Sequence, residues 1–374
     1  MNHIRLLPRA GRVAALAALL ATTAAATQPA ADSAAAHLID TLGVPVASQP
    51  VRERPGWRTP NVVLVSHYLT NLLPQLQQVA PKVKLIDAAA ATPHEVAQAD
   101  ATIGVCTPEV LAQAKRLEWI QVSGAGVERC LQHPAVRERH LLLTNLQRAA
   151  GPSMAEHVIA MMLVLSRHLD WFLKEQQQAR WSKGEDAPQL ADLEGKTVLV
   201  VGLGGIGTEV ARRAHVLGMR VTATRASGHN GPDFVSYVGL PDELTKLAKD
   251  ADFVVNCTPL TPQTTGIFNN ALFAAMKPSA YFLSVGRGKS TVTADLIAAL
   301  QGRRIAGAGL DVVDPEPLPA DSPLWHLPNV IITPHVSGNT PLADEERDAL
   351  LRENLRRYVA GEAMLAVVDL ERGY

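Results

Sequence analysis

One stretch limits what this chain can fold into: Thr197-Val-Leu-Val-Val-Gly-Leu-Gly-Gly-Ile-Gly207. The run TVLVV has the length and β-branched composition of a buried strand. It passes directly into GLGGIG, a match to G-x-G-x-x-G. Ile206, Val210, Ala214 and Leu217 then recur at helical spacing, and Gly218 stands where such a helix would end. Strand, glycine turn and helix are the context in which this motif binds a dinucleotide. Gly202 serves the tight turn and Gly204 admits the backbone to a pyrophosphate. Gly207 permits close helix–strand packing, with the phosphates at the helix N-terminus. Glycine turns also follow strands for purely structural reasons, so the motif needs support from the rest of the chain.

With 374 residues, the chain exceeds one typical domain, and 47% hydrophobic content is enough for two cores. A net charge of −1 supplies no basic field for nucleic acid or an anionic membrane. Cys106, Cys130 and Cys257 are odd in number and lie far apart without ligand spacing. Neither a disulfide framework nor a metal site is expected from them. No apolar run is long enough to span a bilayer comfortably. The N-terminus is distinctive. Arg5, Arg9 and Arg12 precede an apolar run from Val13 to Leu20, and Ala24-Ala25-Ala26 offers an A-x-A cleavage site. Residues 1–26 therefore read as a signal peptide or a disordered tail. Residues 27–60, Ala-rich and then Pro-rich, read as a linker.

From Asn61 onward, short apolar runs at 61–65, 83–86, 101–105, 119–122 and 141–143 alternate with helical stretches. Such alternation predicts a parallel sheet covered on both faces, a flavodoxin-like unit. Gly151-Pro152-Ser153 opens a strong helix whose apolar stripe is Met154, Val158, Met161, Met162 and Leu165. The second unit starts at the glycine-motif strand and continues with strands at 220–224, 252–257, 280–285, 304–310 and 330–333. An amphipathic helix from Ala343 to Val359 follows, with a position suited to crossing back to the first unit. The expected architecture is α/β with two domains. A flavodoxin-like substrate domain (61–165 and 340–374) accompanies a Rossmann dinucleotide-binding domain (166–339).

The second strand of that Rossmann unit bears on which dinucleotide it takes. A carboxylate about 20 residues beyond the glycine motif would bind the ribose hydroxyls of NAD. Here Arg225 stands in that place, and no acidic residue lies from Val221 to Asn230. A guanidinium there suits a 2′-phosphate, with Thr224 and Ser227 as hydroxyl donors. NADP(H) is the expected cofactor, with NAD(H) as the alternative. Three later segments each place a polar residue just after an apolar strand: Arg287 in SVGRG, Glu316 in LDVVDPEP and His335 in TPHVSG. Ligand crevices of open α/β sheets lie at the strands' carboxyl ends, so these three side chains are expected to converge. Singly, each has a plain reading as an Arg in a glycine turn, a surface Glu between prolines or a loop His.

Taken in order, VSGAGVE, MAEHV, GLGGIG, CTPLTPQTTG, SVGRG, LDVVDPEPLP, PLW-x-x-PNV and TPHVSG resemble the D-isomer-specific 2-hydroxyacid dehydrogenase family, of the glyoxylate/hydroxypyruvate reductase kind. The resemblance runs from about Asn61 to the C-terminus. It implies a 2-keto acid or D-2-hydroxy acid as substrate and Arg287, Glu316 and His335 as the catalytic set. His335 would exchange the proton of the alkoxide, Glu316 would fix its tautomer, and Arg287 would hold the substrate carboxylate. Backbone N–H groups of Ala125 and Gly126 would bind the remaining carboxylate oxygens. Gly205, Ile206, Thr258, Pro259, Asp311, Gly338 and Met154 would touch the cofactor, with Asp311 on the nicotinamide carboxamide. The family's habit of pairing through the cofactor domain implies a homodimer.

Two positions depart from the family pattern: Ser284 where Asn is frequent, and Arg148 where Gly is common. A nucleotide-sensing protein without turnover is one alternative function, against which the complete Arg/Glu/His set speaks. Formate or phosphite oxidation is another, disfavoured because formate dehydrogenases of the superfamily carry Gln at the Glu316 position. A reduced-nicotinamide enzyme works from a pool kept in the cytoplasm, and no twin-Arg pair precedes the apolar run. A cytoplasmic site is therefore favoured over export.

Overall fold

A computed structural model describes residues 33–185 and 187–374. The signal-like stretch and the first residues of the expected linker lie outside them. Twelve strands make two parallel sheets among the described residues. The first contains β1 (Val62–Val65), β2 (Lys84–Asp87), β3 (Ala101–Ile103), β4 (Trp119–Gln121) and β5 (Leu142–Thr144), in the order β2-β1-β3-β4-β5. That order is the flavodoxin-like one. β1, β3, β4 and β5 are buried along almost their whole length, as expected of strands covered on both faces.

The second sheet comprises β6 (Thr197–Val201), β7 (Arg220–Thr224), β8 (Tyr237–Gly239), β9 (Phe253–Asn256), β10 (Tyr281–Ser284), β11 (Gly307–Leu310) and β12 (Val330–Ile332). Its order is β12-β11-β10-β9-β6-β7-β8, the doubly wound arrangement. The order reverses between β6 and β9, so a crevice opens at their carboxyl ends. β8 was not anticipated. It is three residues long at the sheet edge and begins on an exposed Tyr237, too short to show a period.

The helix at Pro341–Ala360 returns to the first sheet. Leu350, Leu351, Leu355 and Tyr358 join the core over β1, β3 and β4. Tyr358 stacks on Trp119 with ring centroids 4.6 Å apart. Two expectations about the boundaries are corrected here. Residues 33–60 are not a linker: Leu38, Val44 and Val51 are buried in that same core. Their backbone is strapped to the C-terminal segment, with Ala47 N–H on Met364 O and Val51 N–H on Glu362 O. The Gly151–Ser166 helix, assigned to the substrate domain from sequence, packs Ala155, Val158, Met161 and Met162 into the core beneath β6, β7 and β9. An apolar stripe shows that a helix is covered, but not by which sheet.

The cysteines also correct an expectation. Cys106 and Cys130 form a disulfide, with Cα atoms 5.5 Å apart. The loop after β3 and the short helix Glu128–Leu131 after β4 bring them together, which a separation of 24 residues does not reveal. Cys257 is free and buried, and burial pushes its thiol up to about 12. Among the described residues no helix is long and apolar enough to cross a membrane.

Candidate active site

The glycine turn lies at the crevice. Gly202 has φ +95°, and a Cβ there would come within 2.9 Å of Cys257 O. Only glycine meets both demands. A Cβ on Gly207 would overlap Gly202 O and lie 2.9 Å from Val200 Cγ1, so the helix could not approach the strand. Around Gly204 a Cβ would meet nothing within 4 Å, so the backbone faces open space there. That space belongs to a cavity of about 520 Å³ whose walls include Gly202, Gly204, Arg225, Ser227, Thr258 and Pro259. Ile206 and Gly205 open the Gly205–Val216 helix directly behind the turn.

Arg225 donates through Nη1 to Asn230 O at 2.9 Å, while its buried Nε has no partner. Arg225 lines the cavity, and a guanidinium there fits an anionic ligand group such as a 2′-phosphate. Thr258 is oriented from below. Its N–H and hydroxyl both donate to Asn256 Oδ1, at 3.0 and 2.7 Å. Asn256 Nδ2 in turn donates to Ser284 Oγ and Ser290 Oγ, and Ser290 Oγ donates to Arg287 O at 2.6 Å. One fully buried amide therefore links the cofactor cavity to the Arg287 loop. Ser284, a departure from the family pattern, completes this network.

Arg287 reaches across the cleft between the two sheets. Its Nε donates to Glu128 Oε1 at 2.8 Å and its Nη1 to Gly286 O at 2.8 Å. Burial alone would raise the Glu128 carboxyl, but the charge and hydrogen bond of Arg287 outweigh it and hold the group below its ordinary value. Gly126 lies beneath the guanidinium: a Cβ there would be 2.9 Å from Arg287 Cζ and 2.6 Å from Glu128 Oε2. Ala125 O accepts from Asn145 Nδ2 at 2.7 Å, which shapes the SGAG turn.

His335 is the second centre. Its Nδ1 is 3.1 Å from Glu316 Oε2, and Glu316 Oε1 accepts from Val313 N–H at 3.1 Å. No hydrogen bond engages Nε2 among the described residues. His335 sits at φ +56°, an uncommon conformation for a non-glycine residue. Its N–H donates to Asp311 O at 2.9 Å, and Asp311 fixes the turn that follows. Asp311 Oδ1 accepts from Thr333 Oγ1 at 2.7 Å and Val336 N–H at 2.9 Å, while Oδ2 accepts from Ser337 N–H at 3.1 Å. Gly338 lies against Met154, whose Cγ would be 3.5 Å from a Cβ on that glycine.

The comparisons fit this arrangement. The model of the D-isomer specific 2-hydroxyacid dehydrogenase NAD-binding domain matches residues 159–337. Glyoxylate/hydroxypyruvate reductase A of Photorhabdus laumondii is 35% identical over 271 residues, which span 71% of this chain and 84% of that reductase. This chain belongs to the D-isomer-specific 2-hydroxyacid dehydrogenase family. Among solved structures, a 2-hydroxyacid dehydrogenase from Xanthobacter autotrophicus in complex with NADPH and MES superposes with a TM-score of 0.73 at 28% identity. It covers 85% of this chain and 100% of its own. The NADPH-dependent glyoxylate/hydroxypyruvate reductase of Sinorhizobium meliloti, in complex with NADP and sulfate, gives a TM-score of 0.73 at 26% identity and covers 84% of this chain and all of its own. The chain is an NAD(P)-dependent 2-hydroxyacid dehydrogenase.

Three site residues of this dehydrogenase escaped the sequence reading. Glu128 closes the VSGAGVE motif, but its contact, like those of Asn256, is to residues far along the chain. Arg148, known only as a departure from the family pattern, sits at φ +74° with its Cγ where a Cβ on Gly205 would be 2.6 Å away. Its Nη1 donates to Leu42 O at 3.3 Å, so it joins residues 33–60 to the glycine turn.

Asp311 proves to be the anchor of the His335 loop. Burial would raise its carboxyl, but donors from Ser337, Thr333 and Val336 outweigh it and hold the group below its ordinary value. A lowered native pKa gives stability that is present above the unfolded value and fades as pH falls through it. Asp311→Ala, which strands several buried donors, is expected to cost about 1–3 kcal/mol at neutral pH. Urea denaturation at neutral pH and near pH 3 tests this. A penalty that does not shrink in acid would refute the assignment.

Proposed function

We propose that this dehydrogenase uses NADP(H) to interconvert small 2-keto and D-2-hydroxy acids, with glyoxylate and hydroxypyruvate as its substrate class. The observation that carries the reading is the pairing of His335 Nδ1 with Glu316 at 3.1 Å, together with an Arg287 that spans the cleft to Glu128 and Gly126. When bound, the nicotinamide supplies or accepts the hydride. Glu316 accepts from Nδ1–H and so keeps the proton that His335 exchanges with substrate on Nε2. Arg287 holds the substrate carboxylate through its planar fork, with the N–H groups of Ala125 and Gly126 on the opposite side. Glu316 is the acidic partner expected here, where formate oxidation would call for Gln. NADPH absorbance followed with glyoxylate, hydroxypyruvate and longer 2-keto acids tests the reading, and no turnover with any of them would sink it.

The preference for NADP(H) over NAD(H) rests on Arg225, together with the hydroxyl of Ser227 on the same wall. Arg225→Asp is expected to move the NADPH/NADH ratio of kcat/KM toward NADH by about 10-fold or more, because one charge-assisted contact becomes a repulsion. Kinetics with both cofactors check it, and an unchanged ratio would count against Arg225.

We also propose a division into a substrate unit of residues 33–150 and 340–374 and a cofactor unit between them. Core membership on either side of the Gly151 helix supports it. A homodimer through the cofactor unit is supported by Leu163, Leu169, Leu173 and a 92% exposed Trp181, apolar side chains that follow one another along that unit. Light scattering that gave a monomer mass at micromolar concentration would contradict it. We place the working site in the cytoplasm, where reduced nicotinamide is maintained. A second reading, export, is favoured by the Cys106–Cys130 disulfide together with the signal-like residues 1–26, since disulfides persist in oxidising compartments. The mass of the mature N-terminus decides between them.

A further inference from the structure

The cofactor cavity is not walled by the cofactor unit alone. Glu371, Arg372 and Tyr374, at the end of the chain, line it as well. These residues belong to the substrate unit by their connections: Val367 bridges to Thr144, and Val368 N–H donates to Leu143 O at 2.9 Å. Residues 369–374 are folded into a turn. Asp369 Oδ1 accepts from the N–H groups of Glu371 and Arg372 at 2.9 and 3.0 Å. Gly373 N–H donates to Asp369 O at 2.8 Å, and Asp369 N–H to Tyr374 O at 3.2 Å.

The turn then crosses toward the other unit. A Cβ on Gly373 would lie 3.6 Å from Leu131 Cδ1 on the substrate side and 3.9 Å from Thr261 Cγ2 on the cofactor side. The rest of the cavity wall places the turn at a particular end. Pro241, Leu244 and Ile267 share the wall with it, whereas Arg287, Asp311 and His335 do not. That is the adenosine end of a dinucleotide laid across the glycine turn. Arg225 and Arg372 are the two cationic side chains among the residues lining the cavity. Arg225 is held by Asn230 O, while Arg372 has only an exposed ion pair to Asp369 at 3.5 Å. Such a pair is worth little, so a phosphate group entering the cavity can take the guanidinium over.

We propose that the C-terminal turn 369–374 is a latch on the cofactor: it closes the adenosine half of the cavity from the substrate unit, and Arg372 donates to the cofactor's phosphate groups. This rests on the NADP(H) reading given above. Because the latch belongs to one unit and the glycine turn to the other, a bound dinucleotide ties the two together. Cofactor occupancy then favours the closed cleft in which Arg287 meets Gly126.

The test is an equilibrium titration of the intact chain with NADPH and NADH, read by nicotinamide fluorescence. It is repeated for Arg372→Ala, for Arg372→Lys and for a chain ending at Leu370. Arg372→Ala is expected to raise the NADPH Kd about 10-fold, and the truncation at least as much, with partial recovery in Arg372→Lys. A loss confined to NADPH places Arg372 on the 2′-phosphate, and an equal loss for NADH places it on the pyrophosphate. Both outcomes uphold the latch. Kd values equal to the intact chain's in both variants would overturn it. Failure of the intact chain to bind either nucleotide would instead overturn the cofactor reading and the latch with it.

Discussion

Replacing His335 by alanine is expected to lower kcat by about 10²–10⁴-fold while NADPH affinity and thermal stability stay near those of the intact enzyme. The separation of effects follows from what holds the loop. Its backbone is fixed by Asp311, which accepts from Thr333, Val336 and Ser337 through its carboxylate and from His335 N–H through its carbonyl. None of these bonds uses the imidazole. The side chain is 47% exposed, so its removal leaves no buried cavity. What is lost is the proton carrier and its tautomer lock, since Glu316 remains held by Val313 N–H without a histidine to orient. Glu316→Gln should cost less, because an amide oxygen can still accept from Nδ1–H. Stopped-flow absorbance for the hydride step, with fluorescence titration for binding, separates the two contributions. Near-normal turnover in His335→Ala would remove this residue from the mechanism.

Much of this site was legible because its residues follow strands that are themselves easy to read. TVLVV leads to Gly202, and the apolar runs before Arg287, Asp311 and His335 put those residues at strand ends. A side chain at the carboxyl end of a strand in such a sheet faces the crevice by topology, so its place needs no knowledge of its partners. The unread parts are those defined by a distant partner. Glu128 matters through Arg287, 159 residues on, and Cys106 through Cys130. Residues 33–60 bury Leu38, Val44 and Val51, with Ile39, Leu42 and Trp57 packed beside them, among Ala, Pro and polar residues that read as a linker. Their cover comes from the returning C-terminal helix, about 300 residues later, as the Trp57 Nε1 bond to Tyr358 O illustrates. The same distance hid the terminal turn on the cofactor cavity. Composition read as linker proved to be packed into the core of the substrate unit.

The junction of the two halves gives the second large expected effect. Gly126→Ala should reduce kcat/KM by about 10²-fold, an amount typical of displacing a catalytic group by about 1 Å. A methyl at this position would overlap Arg287 Nη2 and lie 2.9 Å from its Cζ. The guanidinium cannot simply slide away, because Nε is held by Glu128 and Nη1 by Gly286 O. Either the Glu128 bond breaks or the SGAG turn withdraws, and each moves a proposed substrate contact. Backbone strain is not the cause, since Gly126 does not adopt the left-handed φ that would penalise alanine. Gly124, two residues earlier in the same turn, supplies the control. It too lacks a positive φ, and a Cβ there would meet nothing within 4 Å. Gly124→Ala should therefore keep near-normal kinetics. Equal losses in the two variants would mean that the turn tolerates no side chain for reasons of its own. A loss confined to Gly126→Ala would locate the defect at Arg287.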